Sequence, residues 1–257
     1  MKALPGGDSP DVRVVEMYDG EVHIEFEPIK HVYTHLEKGI IPDGTTKVLG
    51  CVPKYLDNWK VKLCDTIWLG AMESGRKDFK EISKEARGEH RRIRDEAGEK
   101  GTIIHDYAEN YPHVSPPPED TEIQNSCEAF VEWRESVELI EIEKEKIVFS
   151  RTYNYCGTLD LHAIYKGEVA LFDYKSSSSF YKEMILQLCS YSVALEEMTG
   201  ERIDHGYIIR LCKRTGKPTE YHVHLTKELK DYWIQCLLWY RTLKHLDIIA
   251  KQIKEES

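Results

Sequence analysis

The sequence predicts an α/β fold: a central mixed sheet of about five strands flanked by helices, with an N-terminal helical extension. Two observations carry this prediction. Polar and apolar residues alternate in three consecutive runs between residues 146 and 175. A helical stretch then separates these runs from two further alternating runs and a long amphipathic helix. A period of two is typical of strands, and apolar residues three to four apart are typical of helices.

The N-terminal part is predicted to be mainly helical. Residues 1–20 show little pattern, and we expect them to be loosely attached. Residues 21–27 alternate as in a half-buried strand, with which residues 30–36 are expected to pair. A helical region is predicted from residue 46 to residue 69, with a break at Pro53 because proline interrupts helices.

A highly charged segment follows at residues 73–99. A solvated helix with ion pairs one turn apart is the simpler interpretation. The alternative is a basic ridge that faces a nucleic-acid backbone, with Arg91 and Arg92 as candidate contacts. Two glycines then precede Thr102, which is expected to begin the next helix, and a further helix is predicted over residues 122–139.

The remaining elements define the predicted sheet. We predict strands at 146–153, 156–165, 168–175, 205–212 and 219–225, and helices at 181–198 and 227–254. The order suggests two parts, an extension of strands and helices over residues 1–97 and a core over residues 98–257, which we expect to form one compact unit.

Composition bounds the class of protein. The chain has 257 residues, of which 41% are hydrophobic and 31% charged, as is usual for a globular protein. The first residues lack the apolar core of a signal peptide, and no apolar run is long enough for a membrane span. Seven scattered cysteines without a C-x-x-C pair favour a reducing cytoplasm and argue against a zinc ribbon or an iron–sulfur cluster.

Two short motifs carry the chemistry. Asp160 lies within one predicted strand, and Asp173 and Lys175 end the next one. Two carboxylates and an ammonium group suit a Mg²⁺ or Mn²⁺ ion acting on a phosphodiester. Ser176 and Ser177 add hydroxyl groups beyond the lysine. The simpler alternatives are a structural aspartate and a surface Asp–Lys pair.

Alternation also predicts the environment of Asp160. Its neighbours Leu159 and Leu161 are expected to face the other way. The histidine pairs His31/His35 and His222/His224 have ligand-like spacing but no nearby carboxylate motif, so we expect them at the surface.

Four motifs occur in the order seen in one nuclease family. They are Gly101-x-x-x-His105-x-x-x-Glu109, Gly157-x-x-Asp160, Asp173-Tyr174-Lys175 and Gln187-x-x-x-Tyr191. Together they cover roughly residues 98–195. In these motifs the chain resembles the RecB-like and phage exonuclease branch of the PD-(D/E)XK nucleases.

The resemblance implies a restriction-endonuclease-like core and a set of metal ligands. Asp160, Asp173, the backbone carbonyl of Tyr174 and His105 would bind one or two Mg²⁺ or Mn²⁺ ions. Glu109 would lie near the site and hold a second ion or a water molecule. From the residues alone, His105 is more often a buried, hydrogen-bonded histidine than a ligand.

The resemblance also implies roles for polar side chains around the metal. Lys175 would orient or activate the attacking water and contact the phosphate. Gln187 and Tyr191 would position the site or the DNA backbone, although helix packing alone would also explain them. Ser176 and Ser177 are further candidate contacts to nucleic acid.

These features predict a metal-dependent DNA exonuclease of recombination, repair or end processing, located in the cytoplasm of a bacterial or phage-infected cell. DNA is the expected partner, with a single-strand annealing or other recombination protein as a further candidate, and the oligomeric state stays open. Three alternatives remain: a non-catalytic nucleic-acid-binding module, a structural subunit of a recombination complex and an RNA-directed nuclease. The net charge of −10 is unusual for a protein that binds nucleic acid.

Overall fold

The computed structural model of the protein describes residues 12–54 and 56–255. Most of the segment predicted to be loosely attached, residues 1–11, lies outside this range. The elements in chain order are β1 (Arg13–Met17), β2 (Val22–Glu27), β3 (Val32–His35), β4 (Asp43–Gly44), α1 (Thr45–Leu49), α2 (Asp57–Glu73), α3 (Phe79–Asn110), α4 (Thr121–Ser136), β5 (Leu139–Ser150), β6 (Tyr155–Tyr165), β7 (Glu168–Lys175), α5 (Lys182–Thr199), β8 (His205–Leu211), β9 (Pro218–His224) and α6 (Lys227–Glu255).

A mixed sheet of six strands forms the centre of the fold, which confirms the predicted fold class. The antiparallel β6–β7 pair is extended by β8, which is parallel to β7, and then by the antiparallel β9. β5 pairs in antiparallel orientation along the full length of β6. On the other edge of β6, the β4 pairing ends at Cys156 and the β7 pairing begins at Leu161. The stretch between them carries the Gly157–Asp160 motif.

Helices cover both faces of this sheet. On one face, α1, α5 and α6 bury a cluster that includes Leu159, Leu188 and Trp233. On the other face, α3 and α4 bury a second cluster that includes Leu161 and Phe172. The sheet is therefore apolar on both sides, as expected when helices cover both faces.

Local signals explain where the helices beside the sheet begin and end. α4 begins after Asp120, whose carboxylate accepts hydrogen bonds from the backbone N–H groups of Glu122 and Ile123. α5 ends at Gly200, which adopts a left-handed φ of 72° that glycine tolerates without strain. The predicted end of this helix at Thr199–Gly200 is confirmed.

A second, three-stranded antiparallel sheet is built from β1, β2 and β3. The predicted pairing of the strands β2 and β3 is confirmed. The expectation of loose attachment is wrong for residues 13–17, which form β1 and pair with β2. This sheet packs on the end of β5 and β6 through Ile24, Phe149 and Cys156. The expectation that His35 lies at the surface is wrong, because this packing leaves its side chain 2% exposed.

Several element boundaries differ from the prediction, among them the end of the helix predicted over residues 122–139, which lies at Ser136. α3 runs without interruption from Phe79 to Asn110, so Thr102 does not begin a helix. β5 begins at Leu139, seven residues before the predicted strand start at Lys146. The division into parts at residues 97 and 98, which falls inside α3, stays a prediction.

None of the helices in the described part of the chain combines the length and apolar composition that crossing a membrane requires.

Candidate functional site

The two motif aspartates meet where the β6–β7 ladder ends. Leu161 and Phe172 form the last residue pair of this ladder on the motif side. Asp160 and Asp173 each lie one residue beyond that pair, on neighbouring strands. Both are buried, Asp160 at 8% and Asp173 at 0% exposure. The sheet therefore holds two carboxylates side by side in its interior.

β6 does not keep strict alternation at Asp160. Leu159 packs with α5 and α6, whereas Leu161 packs with α3 and α4 on the opposite face. The expectation that both leucines face away from Asp160 on the same side is therefore wrong, because the strand changes face at this residue. On β5, Glu145 lies between the residues that pair with Leu161 and Leu159, across from Asp160, and has a left-handed φ of 44°. The irregularity turns the Asp160 and Glu145 side chains toward a common position.

Helix α3 contributes the imidazole of the site. Ile104 and Ala108 pack against the sheet, which places His105 above Asp160, where the β6–β7 ladder ends. The His105 Nδ1 atom lies 3.4 Å from the Asp160 Oδ1 atom. One ligand atom from each of His105, Glu145 and Asp160 lies within 4.8 Å of the other two. These three side chains come from three separate elements and could surround one cation.

Lys175 is held by the second aspartate. Its Nζ atom lies 2.6 Å from the Asp173 Oδ2 atom, and its side chain is 22% exposed. The other aspartate is held by the backbone, since the Tyr174 N–H donates to Asp160 Oδ2 at 2.6 Å. The motif around Lys175 therefore fixes both carboxylates and leaves the ammonium group partly open to solvent.

Burial and neighbouring charges shift the pKa values of these groups in different directions. Burial opposes protonation of His105, but the nearby Asp160 outweighs it and raises the pKa of His105 to about 9. Burial and then Asp160 raise the pKa of Glu145 to about 8. Burial also raises the pKa of Asp173 to about 6, although Lys175 opposes the rise. Burial raises the pKa of Asp160 as well, but His105 and Lys175 lower it overall. The site thus carries more buried carboxylates than its two cationic side chains balance.

The donor set fits a divalent cation. Both Asp173 carboxylate oxygens are buried, and no backbone N–H or hydroxyl group in residues 12–54 and 56–255 donates to either of them. Buried carboxylates normally have such donors or bind metals. Carboxylate oxygens and a histidine nitrogen together are suitable ligands for Mn²⁺, and the carboxylates for Mg²⁺.

A cavity of about 430 Å³ opens beside the site. His105, Tyr174 and Lys175 line one part of it, and Ser176 and Ser177 line another. The two predicted serine contacts therefore face the same space as the lysine.

The cavity also has basic residues that sequence reasoning did not select. Lys100 and Lys213 line it, and both form ion pairs with Glu122, which lies between them. Lys100 also forms ion pairs with Asp120 and Glu96, so neighbouring carboxylates offset the charge of the two lysines.

Gln187 and Tyr191 lie on α5 and contact each other. The Gln187 Nε2 atom donates to the Tyr191 hydroxyl group at 2.7 Å. The Tyr191 ring packs directly on Gly157 of β6, where an added Cβ would come within 2.6 Å of the ring. The glycine of the Gly157–Asp160 motif is thus explained by a close approach of α5, and this contact aligns the strand that carries Asp160.

Three residues that the sequence predicts to take part in the site lie outside the group formed by His105, Glu145 and Asp160. Glu109 is one helical turn beyond His105 and near enough to Glu145 to raise its pKa, but it is not part of the three-residue group. Arg91 and Arg92 are exposed and precede His105 on α3 by roughly 20 Å, at 1.5 Å per residue. Arg92 pairs with Glu89 and Glu96, as the solvated-helix interpretation expects.

Glu145 is the residue that sequence reasoning missed. Its only signal is the alternation of Glu141, Glu143 and Glu145 along β5. That pattern does not show which of the three faces the site, because the choice depends on the register with β6.

Comparison with known proteins gives limited information. No family model matches the sequence, and no curated protein matches it. The structure is similar to one provisionally described as an exonuclease, from Eubacterium rectale, with a TM-score of 0.39 and 15% identity. This match covers 55% of the present chain and 63% of the other, so it spans less than two thirds of that protein. The structure is also similar to LHK-Exo in complex with dAMP, with a TM-score of 0.39, 10% identity and coverage of 84% and 92%. These scores are too low to assign the chain to the family of either structure.

Proposed function

We propose that this protein is a divalent-metal-dependent DNA nuclease of the RecB-like PD-(D/E)XK type, most specifically an exonuclease. The observation that carries the proposal is the convergence of His105, Asp160, Asp173 and Lys175 at one end of the central sheet. These residues come from α3, β6 and β7. Both carboxylates are buried, and the Asp173 carboxylate receives no hydrogen bond from a backbone N–H group within the described residues. Buried charge of this kind is typical of functional sites.

The chain offers defined ligands for the cation. Asp160, Asp173, His105 and the backbone carbonyl of Tyr174 would hold a Mg²⁺ or Mn²⁺ ion. When bound, such an ion supplies positive charge that stabilises the phosphate in the transition state and activates water. The Tyr174 N–H fixes the orientation of the Asp160 carboxylate by its hydrogen bond.

Lys175 acts on the substrate directly. Asp173 holds its ammonium group in place at 2.6 Å while the group stays partly exposed toward the cavity. In that position the ammonium group orients the attacking water and contacts a phosphate oxygen. Gln187 and Tyr191 hold β6 in position against α5. Ser176 and Ser177 contribute hydroxyl groups that contact the nucleic-acid backbone.

The charge of the site supports a substrate that carries phosphate groups. A cation bound among the carboxylates offsets the local negative charge and attracts a phosphate, which reconciles DNA binding with the net charge of −10. We assign the activity to recombination, repair or end processing in a bacterial or phage-infected cell. A single-strand annealing protein is the expected class of partner.

The test is degradation of end-labelled linear DNA, in double-stranded and single-stranded form, by purified protein with Mn²⁺ or with EDTA. We expect Mn²⁺-dependent release of short products and a loss of at least about 10²-fold in rate for Asp160→Asn. Asp247→Asn, which removes an exposed carboxylate on α6, is the matched control and should leave the rate unchanged. An equal rate for wild type and Asp160→Asn would contradict the proposal, and cleavage of RNA alone would reassign the substrate.

A further inference from the structure

We propose that Glu145 is an additional ligand of the divalent cation, together with His105 and Asp160. The inference rests on the proposed function because it concerns the same cation. It goes beyond the motif residues, since Glu145 lies in β5, outside all four motifs, and takes the place that the sequence favoured for Glu109.

Geometry is the first argument. His105, Glu145 and Asp160 each present a ligand atom within 4.8 Å of the other two. These residues come from a helix and two neighbouring strands, so their approach results from the fold and not from closeness in sequence. Ligand atoms around a shared ion are separated by distances of this order, because metal–oxygen and metal–nitrogen bonds are about 2.0–2.3 Å long.

Backbone conformation is the second argument. Glu145 has a φ of 44°, a left-handed conformation that is costly for a residue with a long side chain. It occurs in the middle of β5, across from Asp160, where regular extended backbone would send the side chain elsewhere. Strain of this kind persists where surrounding structure enforces it, and it concentrates at functional sites.

The absence of any other partner is the third argument. Within residues 12–54 and 56–255, no hydrogen bond and no ion pair reaches the Glu145 carboxylate, although its side chain is half-buried. The nearby Glu143, by contrast, forms an ion pair with Lys146 on the same strand. The fully buried Asp173, whose oxygens are paired with Lys175 but receive no backbone N–H or hydroxyl donor within the described residues, lies on the other side of Asp160. A cation would satisfy these carboxylates together.

The experiment measures Mn²⁺ affinity by titration calorimetry and by the electron paramagnetic resonance signal of free Mn²⁺, with full-length protein at pH 8. Two variants remove the carboxylate in different ways: Glu145→Gln keeps the side-chain length, and Glu145→Gly suits the left-handed backbone and so retains the fold. Glu143→Gln is the matched control on the same strand. Glu109→Gln tests the residue that the sequence favoured.

We expect Mn²⁺ to bind about 10- to 100-fold more weakly to both Glu145 variants, and within about twofold of wild type to Glu143→Gln. Affinity within about twofold of wild type in both Glu145 variants would overturn the inference while leaving the proposed function intact. Weaker binding in Glu109→Gln but not in the Glu145 variants would overturn it as well. If the Glu145 variants lose affinity but wild type with Mn²⁺ cleaves no DNA, the inference stands and the proposed function fails.

Discussion

Replacing Asp173 by asparagine should make the metal-free protein more stable at pH 8. The Asp173 carboxyl is fully buried, and burial raises its pKa from 3.8 to about 6. Because the folded-state pKa lies above the unfolded one, the stability contribution is complete below pH 3.8 and is lost as the pH rises through 6. At about 1.4 kcal/mol per pH unit, the loss is about 3 kcal/mol as an upper bound. Asparagine does not ionise, but it weakens the contact with Lys175, so we expect a gain of about 1–3 kcal/mol.

Thermal unfolding in EDTA measures this gain. For a chain of this size, about 1–3 kcal/mol corresponds to a rise in Tm of roughly 3–10 °C at pH 8. The stability advantage of the variant should fall to about half at pH 5. At that pH the Asp173 carboxyl of the wild type is largely protonated in the folded state, so less of the cost of ionising it remains. Asp247→Asn removes an exposed carboxylate on α6 and should change stability by less than about 0.5 kcal/mol at either pH.

Addition of Mn²⁺ should reverse the order of the two proteins. At about 1,000 times its Kd, Mn²⁺ stabilises the wild type by about 4.1 kcal/mol, which exceeds the expected lead of the variant. The Asp173→Asn variant, which lacks a ligand, should gain much less. The reasoning would be refuted if the variant in EDTA were less stable than the wild type at pH 8. The ionised Asp173 carboxylate would then not destabilise the metal-free protein, and a cation would have no such destabilisation to offset.

Three further predictions concern proton release, charge and packing. Binding of Mn²⁺ at pH 7 should release about two protons, since His105 and Glu145, with pKa values of about 9 and 8, are largely protonated without metal. Calorimetry in buffers of different ionisation enthalpy measures this proton release. The affinity for Mn²⁺ should also rise between pH 6.5 and 8, and an affinity independent of pH would contradict the prediction. Lys175→Met should lower kcat by about 10²–10³-fold and leave Mn²⁺ affinity equal or higher, whereas an equal loss of both would mean that the lysine only supports the site. Gly157→Ala should lower the free energy of unfolding by about 1–3 kcal/mol because the new methyl group would meet the Tyr191 ring. Adding Tyr191→Leu to the same chain should recover part of this loss. If chemical denaturation shows that the effects of the two changes are additive, the contact does not cause the loss.

The sequence predicts the elements of the central sheet well because their signals are local. Alternation marks β6 and β7 within one residue of their observed bounds, and the Thr199–Gly200 stop marks the end of α5. The sequence predicts a helix start at Thr102, inside α3, because Gly98 and Gly101 lower helix propensity. Each glycine costs only about 1 kcal/mol, and the packing of Ile104 and Ala108 against the sheet outweighs this cost.

The site was only partly predictable for a different reason. Asp160, Asp173 and Lys175 stand in short motifs, and the structure brings them together with His105. Glu145 stands in no motif, because its place depends on the register between β5 and β6 and on a left-handed backbone angle. Such features depend on how two strands pair and on a local backbone irregularity, which the pattern of residues within either strand does not encode.

The central claim is tested most directly by the dependence of DNA hydrolysis on both the metal and Lys175. End-labelled linear DNA is incubated with wild type, Lys175→Met and Asp247→Asn, each with Mn²⁺ or with EDTA, and the products are separated by size. We predict that wild type and Asp247→Asn release short labelled products only with Mn²⁺, and that Lys175→Met releases them at least about 10²-fold more slowly. DNA that stays intact with wild type and Mn²⁺, or that is degraded equally by Lys175→Met, would contradict the account.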